Sequence, residues 1–422
     1  MLSFRALLVT GSLLMGCAAP ALAQDQKAEQ TAMRALREAP VFDGHNDVPI
    51  QLRSRYDNRI GEFDFTDTSN TATEDRGMMH TDLPRLRQGR VGAQWWSVYV
   101  SGDQPEADAV RQTIEQIDVT KRLVARYPDD LVLALSAQDV ERAVKAGRIA
   151  SLIGMEGGHS IGSSLAILRQ MYDLGARYMT LTHNQNTPWA DSATAPPEHD
   201  GLTDFGKAVV REMNRIGMLV DLSHVSEKTM HDALDTAVAP VIFSHSGARG
   251  VAGHPRNVPD SVLRRLPKNG GVVHVVALPW FVTEELRQHA ANRAAEEARL
   301  DSLYRGQVDE VARLLEVWDA ANPPPPSTIS DVADHIDHVR TVAGIDHIAI
   351  GGDYDGMPTG PSGMEDVSGY PALFTELARR GYSQKDLEKI SMRNALRALR
   401  EAERVSARLA NTPPDDRLID AQ

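Results

Sequence analysis

A chain of 422 residues with 42% apolar and 24% charged residues has ordinary globular composition, enough for one large barrel or two smaller domains. Its formal net charge of −13 argues against a nucleic-acid partner, which would call for a basic face. Cys17 is the only cysteine, which excludes an internal disulfide and a thiolate metal ligand from the fold.

Residues 1–23 read as a signal peptide. Arg5 supplies its basic n-region, an apolar stretch follows over 6–15, and Ala21-Leu22-Ala23 forms a small-residue cleavage signature. The apolar stretch is too short to cross a bilayer. Leu14-Met15-Gly16-Cys17 offers an alternative, a lipoprotein box with acylation at Cys17, although Met15 is atypical there. Both routes export the chain, to the periplasm or beyond, and only the second attaches it to a membrane.

A polar and then helical lead-in occupies 24–39. Eight apolar runs of strand length follow, at 41–45, 93–100, 150–155, 177–182, 218–222, 240–244, 271–277 and 347–351. Near-continuous apolar strands alternating with amphipathic helices signify a parallel sheet covered on both faces. Eight of them predict a closed α/β architecture, the (β/α)8 TIM barrel of metal-dependent hydrolase type. No G-x-G-x-x-G follows a strand, which removes the dinucleotide-binding alternative.

Between the strands, the pattern predicts helices over 161–174, over 205–216 with a stop at Gly217, and from a Ser226 cap to about Leu234. Ser383 with Asp386 predicts a capping box opening a last helix to about Arg404. A polar insertion at 56–74 is expected as a loop over the barrel mouth, and a charged helical insertion at about 281–326 follows the seventh strand. The single domain is expected over 24–404, with a disordered tail over 405–422.

The strands end on chemistry. His45 and Asp47 close the first, Glu156 the third, His183 the fourth, His224 the fifth, His245 the sixth and Asp353 the eighth. In a parallel barrel these ends share one mouth. One buried histidine is more often a hydrogen-bonded core residue than a ligand, but such coincidence at six strand ends points to a site. Imidazole and carboxylate donors suit zinc, with manganese a further option. His45 and Asp47 can hold one ion, His224 and His245 another, and Glu156 can bridge them. Two such ions can share a hydroxide and polarise a carbonyl, which makes a hydrolytic centre.

The motifs Asp43-Gly44-His45-Asn46-Asp47, Gly154-Met155-Glu156-Gly157-Gly158-His159, Leu181-Thr182-His183-Asn184, Asp221-Leu222-Ser223-His224, Phe243-Ser244-His245-Ser246, Arg256-Asn257-Val258-Pro259-Asp260 and Gly351-Gly352-Asp353-Tyr354-Asp355-Gly356 resemble those of the membrane dipeptidase (renal dipeptidase) family. The resemblance spans roughly 35–403. It implies two Zn2+ per chain held by His45, Asp47, Glu156, His224 and His245, with Glu156 bridging, and hydrolysis of dipeptides by a metal-bridging hydroxide. It further implies that His183 contacts the substrate carbonyl and its oxyanion, that Arg256 grips the substrate carboxylate, that Asp353 handles protons, and that the protein is a homodimer. Another metal-dependent amidohydrolase, acting on a lactam, lactone or cyclic amide, is the enzymatic alternative. A barrel that kept its fold as a binding protein and lost the chemistry would lack a ligand or Asp353, and none is missing.

Other residues near these motifs draw plainer expectations. Asp43 is expected to hydrogen-bond behind the His45–Asp47 pair, and His159 to be structural. His335 and His338, at i and i+3 of a helix outside the barrel, are expected on the surface. Of Trp95 and Trp96, one is expected in the core and the other at the mouth. Asp355 competes with Asp353 for the proton role, and Asp353 is preferred as nearer its strand. Arg256 could instead brace its own loop through Asp260.

Overall fold

Eight of the nine strands in the computed structural model coincide with the eight apolar runs, and all pair in parallel. The structure describes residues 18–73 and 76–419. The strands are β1 (Val41–Asn46), β2 (Val91–Tyr99), β3 (Leu131–Leu133), β4 (Ile149–Glu156), β5 (Ala176–Thr180), β6 (Leu219–Asp221), β7 (Val241–Ser246), β8 (Val272–Val275) and β9 (Ile348–Ile350). Their order is β2-β1-β9-β8-β7-β6-β5-β4, and pairing of β2 with β4 closes the ring. The result is an eight-stranded (β/α)8 barrel. The unexpected β3 pairs with the foot of β4 (Leu131 with Ile149, Leu133 with Ser151), below the point where β5 takes over that edge at Ile153.

The barrel's foot is solid. Phe42, Trp95 and Tyr178 are buried there, with ring centroids 6.0 Å apart for Phe42–Trp95 and 4.8 Å for Trp95–Tyr178. Leu396, Leu399 and Ala402 of the last helix pack in the same cluster. Trp96 points the other way, into the helical layer, with its ring centroid 6.0 Å from that of Phe65. Neither tryptophan reaches the mouth, correcting the expectation for the pair: period-two alternation separates their faces, and both faces are buried. The insertion at 56–74 is likewise more than a mouth loop, because Phe63 and Phe65 are buried against that outer face.

Local signals set the helices. Ser226 caps Glu227–Thr236, and Thr203 caps Asp204–Ile216, which ends at Gly217 with a left-handed φ of 87°. Ser164 takes the cap of Leu165–Asp173, so that helix starts later than expected, after a short 3-10 turn. The Ser383–Asp386 capping box is present; its helix passes through a π turn at Lys389–Arg393 and continues to Arg408. Val405 is buried in that helix, and Arg169 donates to the Asp415 carbonyl at 3.2 Å, so part of the expected tail is packed. The insertion after β8 forms helices Glu284–Leu303 and Val308–Ala321 around a small cluster of Leu300, Val311 and Leu315.

The leader's first part and Cys17 lie outside the described residues; residues 18–23 open a helix running Ala18–Glu38. Among the described residues, no helix is long and apolar enough to cross a membrane.

Candidate active site

Because the strands are parallel, their C-terminal ends deliver side chains to one mouth. His45 and His245 lie within the ends of β1 and β7, and Glu156 is the last residue of β4. Asp47 follows β1 directly, and His183, His224 and Asp353 each lie three residues past the end of their strand. His224 and Asp353 take left-handed backbone angles, φ 68° and 62°, which cost energy in a residue other than glycine and gather at functional sites. Gly356 makes room for the carboxylates: a Cβ there would stand 2.2 Å from Asp47 Oδ2 and 2.7 Å from Asp353 Oδ1.

Glu156 is the centre of the cluster. Its Oε2 lies 3.5 Å from His45 Nε2, which is 3.3 Å from Asp47 Oδ2. Its Oε1 lies 3.1 Å from His224 Nε2 and 3.5 Å from His245 Nε2. One carboxylate therefore faces two donor groups, one through each oxygen. Ser97 of β2 donates to Oε2 at 3.0 Å and fixes the carboxylate's orientation. His183 stands further out, its Nε2 4.0 Å from Oε1 and its ring centroid 4.3 Å from that of His224.

The donor chemistry fits divalent cations. Ligand atoms of His45, Glu156 and His245, of Glu156, His183 and His224, and of His45, Asp47 and Asp353 each gather within 4.8 Å. His45 Nε2 is buried and lacks a hydrogen-bond partner, while the Nε2 atoms of His224 and His245 approach to 3.0 Å. Converging imidazole nitrogens and carboxylate oxygens away from water are the set a zinc-type ion takes. Ser244 Oγ donates to Asp221 Oδ2 at 2.6 Å and so accepts from Nδ1 of His245 at 2.9 Å. That chain places the His245 proton on Nδ1 and turns the Nε2 lone pair into the cluster. Tyr178 OH lies 3.0 Å from His45 Nδ1.

Burial and neighbouring charge shift the site's titrations. Burial pushes the Asp353 carboxyl well above the usual range; His45 opposes this, and Asp47 and Glu156 add to it. Burial lowers His183 to about 4 against the pull of Glu156, so its ring is neutral near pH 7. Burial also lowers Arg256 to about 10, which leaves it charged.

Arg256 is 3% exposed, and no carboxylate pairs with it among the described residues. Its Nη2 donates to His245 Nε2 at 3.0 Å, its Nε has no partner, and its guanidinium carbon lies 5.2 Å from the Phe281 ring centroid. It does not brace Asp260, whose Oδ1 is engaged by His338 Nε2 at 2.7 Å. A cleft of about 370 Å³ joins these groups, lined also by Ile50, Gln51, Tyr99, Leu278 and Phe281. That volume is in the range of small-molecule sites.

This geometry also places the residues with plainer expectations. Asp43 does not reach an imidazole; its Oδ1 accepts from the backbone N–H groups of His45 (3.2 Å) and Gly352 (2.9 Å), and its Oδ2 from Tyr370 (2.7 Å). It fixes the two strand ends rather than the ring. Asp355 is tied to the segment before the second strand: it accepts from His80 N at 2.8 Å, and its own N–H donates to His80 Nδ1 at 3.1 Å. His159 binds the Val100 carbonyl through Nε2 at 2.9 Å, as a structural residue does. His335 is not on the surface: it is fully buried in the helix Ile329–Val342. Ser97, Tyr178 and the Ser244–Asp221 pair went unassigned. Asp221, three residues before His224, was the available signal.

The membrane dipeptidase profile (peptidase family M19) matches residues 29–413. Dipeptidase 3 of Rattus norvegicus is 41% identical over 395 residues, which are 92% of this chain and 70% of that protein. The probable dipeptidase PvdM from Pseudomonas aeruginosa shares the fold with a TM-score of 0.76 at 24% identity, over 90% of this chain and 99% of that one. A metallo peptidase from Rhodobacter sphaeroides, solved with a phosphinate mimic of the dipeptide L-Ala-D-Ala, does so with a TM-score of 0.69 at 23% identity, over 86% and 99%. A barrel mouth with this donor set, matched by a family profile over nearly its whole length, leads to one conclusion: the chain belongs to the membrane dipeptidase family and is a metal-dependent dipeptidase.

Proposed function

We propose that the protein is an exported binuclear zinc dipeptidase that selects substrates by their free C-terminal carboxylate. The observation that carries this reading is Arg256: a buried guanidinium without a carboxylate partner, beside the donor cluster in a cleft of about 370 Å³. Isolating such a charge is costly unless a partner arrives, and the planar guanidinium suits a carboxylate. His45 and Asp47 would hold one zinc ion, His224 and His245 the second, and Glu156 would bridge them. When bound, such a pair lowers the pKa of a shared water and polarises the carbonyl beside it.

The remaining work falls to the chain. His183, neutral at pH 7, directs an N–H at the scissile carbonyl oxygen and stabilises its developing charge. Asp353 accepts a proton from the attacking water and passes it to the leaving amine. Arg256 fixes the far end of the substrate one residue beyond the scissile bond, so a third residue would displace the carboxylate from it. The dipeptide mimic bound by the Rhodobacter sphaeroides structure accords with a substrate of this size.

The test compares kcat/KM for one dipeptide and its C-terminal amide. The wild type should strongly prefer the acid, and R256A should lose about 2–5 kcal/mol on the acid and stop discriminating. Equal rates for acid and amide in the wild type would remove the carboxylate role.

A further inference from the structure

Arg256 lies on a loop that leaves β7 after Ser246 and returns to the mouth before the short helix Asp260–Leu263. The helix Ile329–Val342 grips this loop at both ends. At its start, Ala248 N donates to His335 Nδ1 at 2.7 Å. At its end, His338 Nε2 engages Asp260 Oδ1 at 2.7 Å. The second nitrogen of His335 donates to the Val282 carbonyl at 3.1 Å, next to Phe281, whose ring lies against the Arg256 guanidinium. Asn257 ties the same two segments, with Oδ1 accepting from Gly247 N at 2.9 Å and Nδ2 donating to Phe281 O at 2.7 Å. Glu284 adds a contact from outside, accepting from Gly253 N at 2.9 Å.

His335 thus joins the element that carries Arg256 to the element that carries its aromatic support. The fit is close: a Cβ on Gly247 would stand 2.8 Å from His335 Nδ1. One nitrogen must accept and the other donate, so the bridge works only with a neutral ring in the Nε2–H tautomer. Burial favours that state, lowering the imidazole to about 4.

We propose that His335 is a positioning residue for substrate recognition, setting Arg256 and Phe281 relative to each other so that the guanidinium meets the substrate carboxylate. The proposal rests on the reading of Arg256 as the carboxylate group. A buried histidine that served stability alone would affect every substrate equally. One that positions Arg256 affects substrates carrying the carboxylate.

The experiment uses the full-length zinc-loaded enzyme and measures kcat and KM for a dipeptide and its amide in wild type, H335F and H335Q, with zinc content beside each. H335F should raise KM for the acid roughly 10–100-fold, the scale of a misplaced binding group. Its kcat/KM for the amide and its zinc content should match the wild type. H335Q, whose amide offers one acceptor and one N–H donor, should regain most of the lost preference. Equal losses on acid and amide, loss of zinc, or an unchanged KM would each overturn the positioning role. Should H335F fail to fold, E284A decides: this half-exposed side chain holds the same loop, and an unchanged acid-to-amide ratio in folded E284A overturns the clamp. A wild type that prefers the acid while these variants keep that preference defeats the clamp alone. A wild type without preference defeats the carboxylate reading and the clamp with it.

Discussion

Nη2 of Arg256 donates to Nε2 of His245 at 3.0 Å. The group proposed for the substrate carboxylate therefore stands against a proposed metal ligand, within one residue's reach of the reacting carbonyl. The His245 lone pair can serve the guanidinium or a cation, but not both at once. R256A removes that competitor and a like charge, so it should bind zinc at least as tightly as the wild type while failing on dipeptides. A zinc titration against a chelator would show it; weaker zinc binding in R256A would mean that the arginine supports the ligand set.

Asp353 and Asp355 stand two residues apart and differ in their surroundings. Asp353 faces His45 and Asp47, while Asp355 is tied to His80. D353N should lower kcat by about 10²–10⁴ with zinc retained, as expected when a proton carrier is removed. D355N should chiefly lower thermal stability by freeing the His80 segment. Near-normal turnover in D353N with a dead D355N would reverse the assignment.

His335 also makes acid stability predictable. Its folded-state value is lowered to about 4, against about 6.5 for an unfolded chain. Between those values the unfolded state binds the extra proton, so the contribution is full above pH 6.5 and is lost as pH falls toward 4. The limit is about 3 kcal/mol for this one group. Thermal unfolding from pH 7 to 4.5 should give a shallower loss in H335Q than in the wild type. Parallel curves would show that His335 does not stay neutral in the fold.

Much of this was written in the sequence, for physical reasons that differ by residue. Strands buried on both faces show as apolar runs, and the polar residues ending six of the eight runs mark the mouth. β3 escaped although Leu131–Leu133 opens an apolar run over 131–135, because it adds a ninth strand to a ring that eight already close. Trp95 and Trp96 were separable by face but not by depth, since alternation carries no height along the barrel axis. His335 and His338 showed the right helix face, but the partner of His335 is Ala248, 87 positions earlier, and local spacing says nothing about that distance. Asp43 hydrogen-bonds behind the pair as expected, but its partners, backbone N–H groups and Tyr370, are ones that no motif displays.

Export is testable at the N-terminus. Cleavage after Ala23 should leave Gln24 as the first residue found by mass spectrometry of the mature protein. A diacylated Cys17 would establish the lipoprotein route instead and place the enzyme on a membrane surface.

The central proposal is that Glu156 would be shared by two ions, supported by its contacts to His45 on one side and to His224 and His245 on the other. Elemental analysis of fully active wild type beside E156Q tests it most directly. About two zinc ions per chain are expected in the wild type, with both occupancies falling together in E156Q, as a shared ligand requires. One ion per chain in the fully active enzyme, or loss of a single ion in E156Q, would contradict the bridged pair.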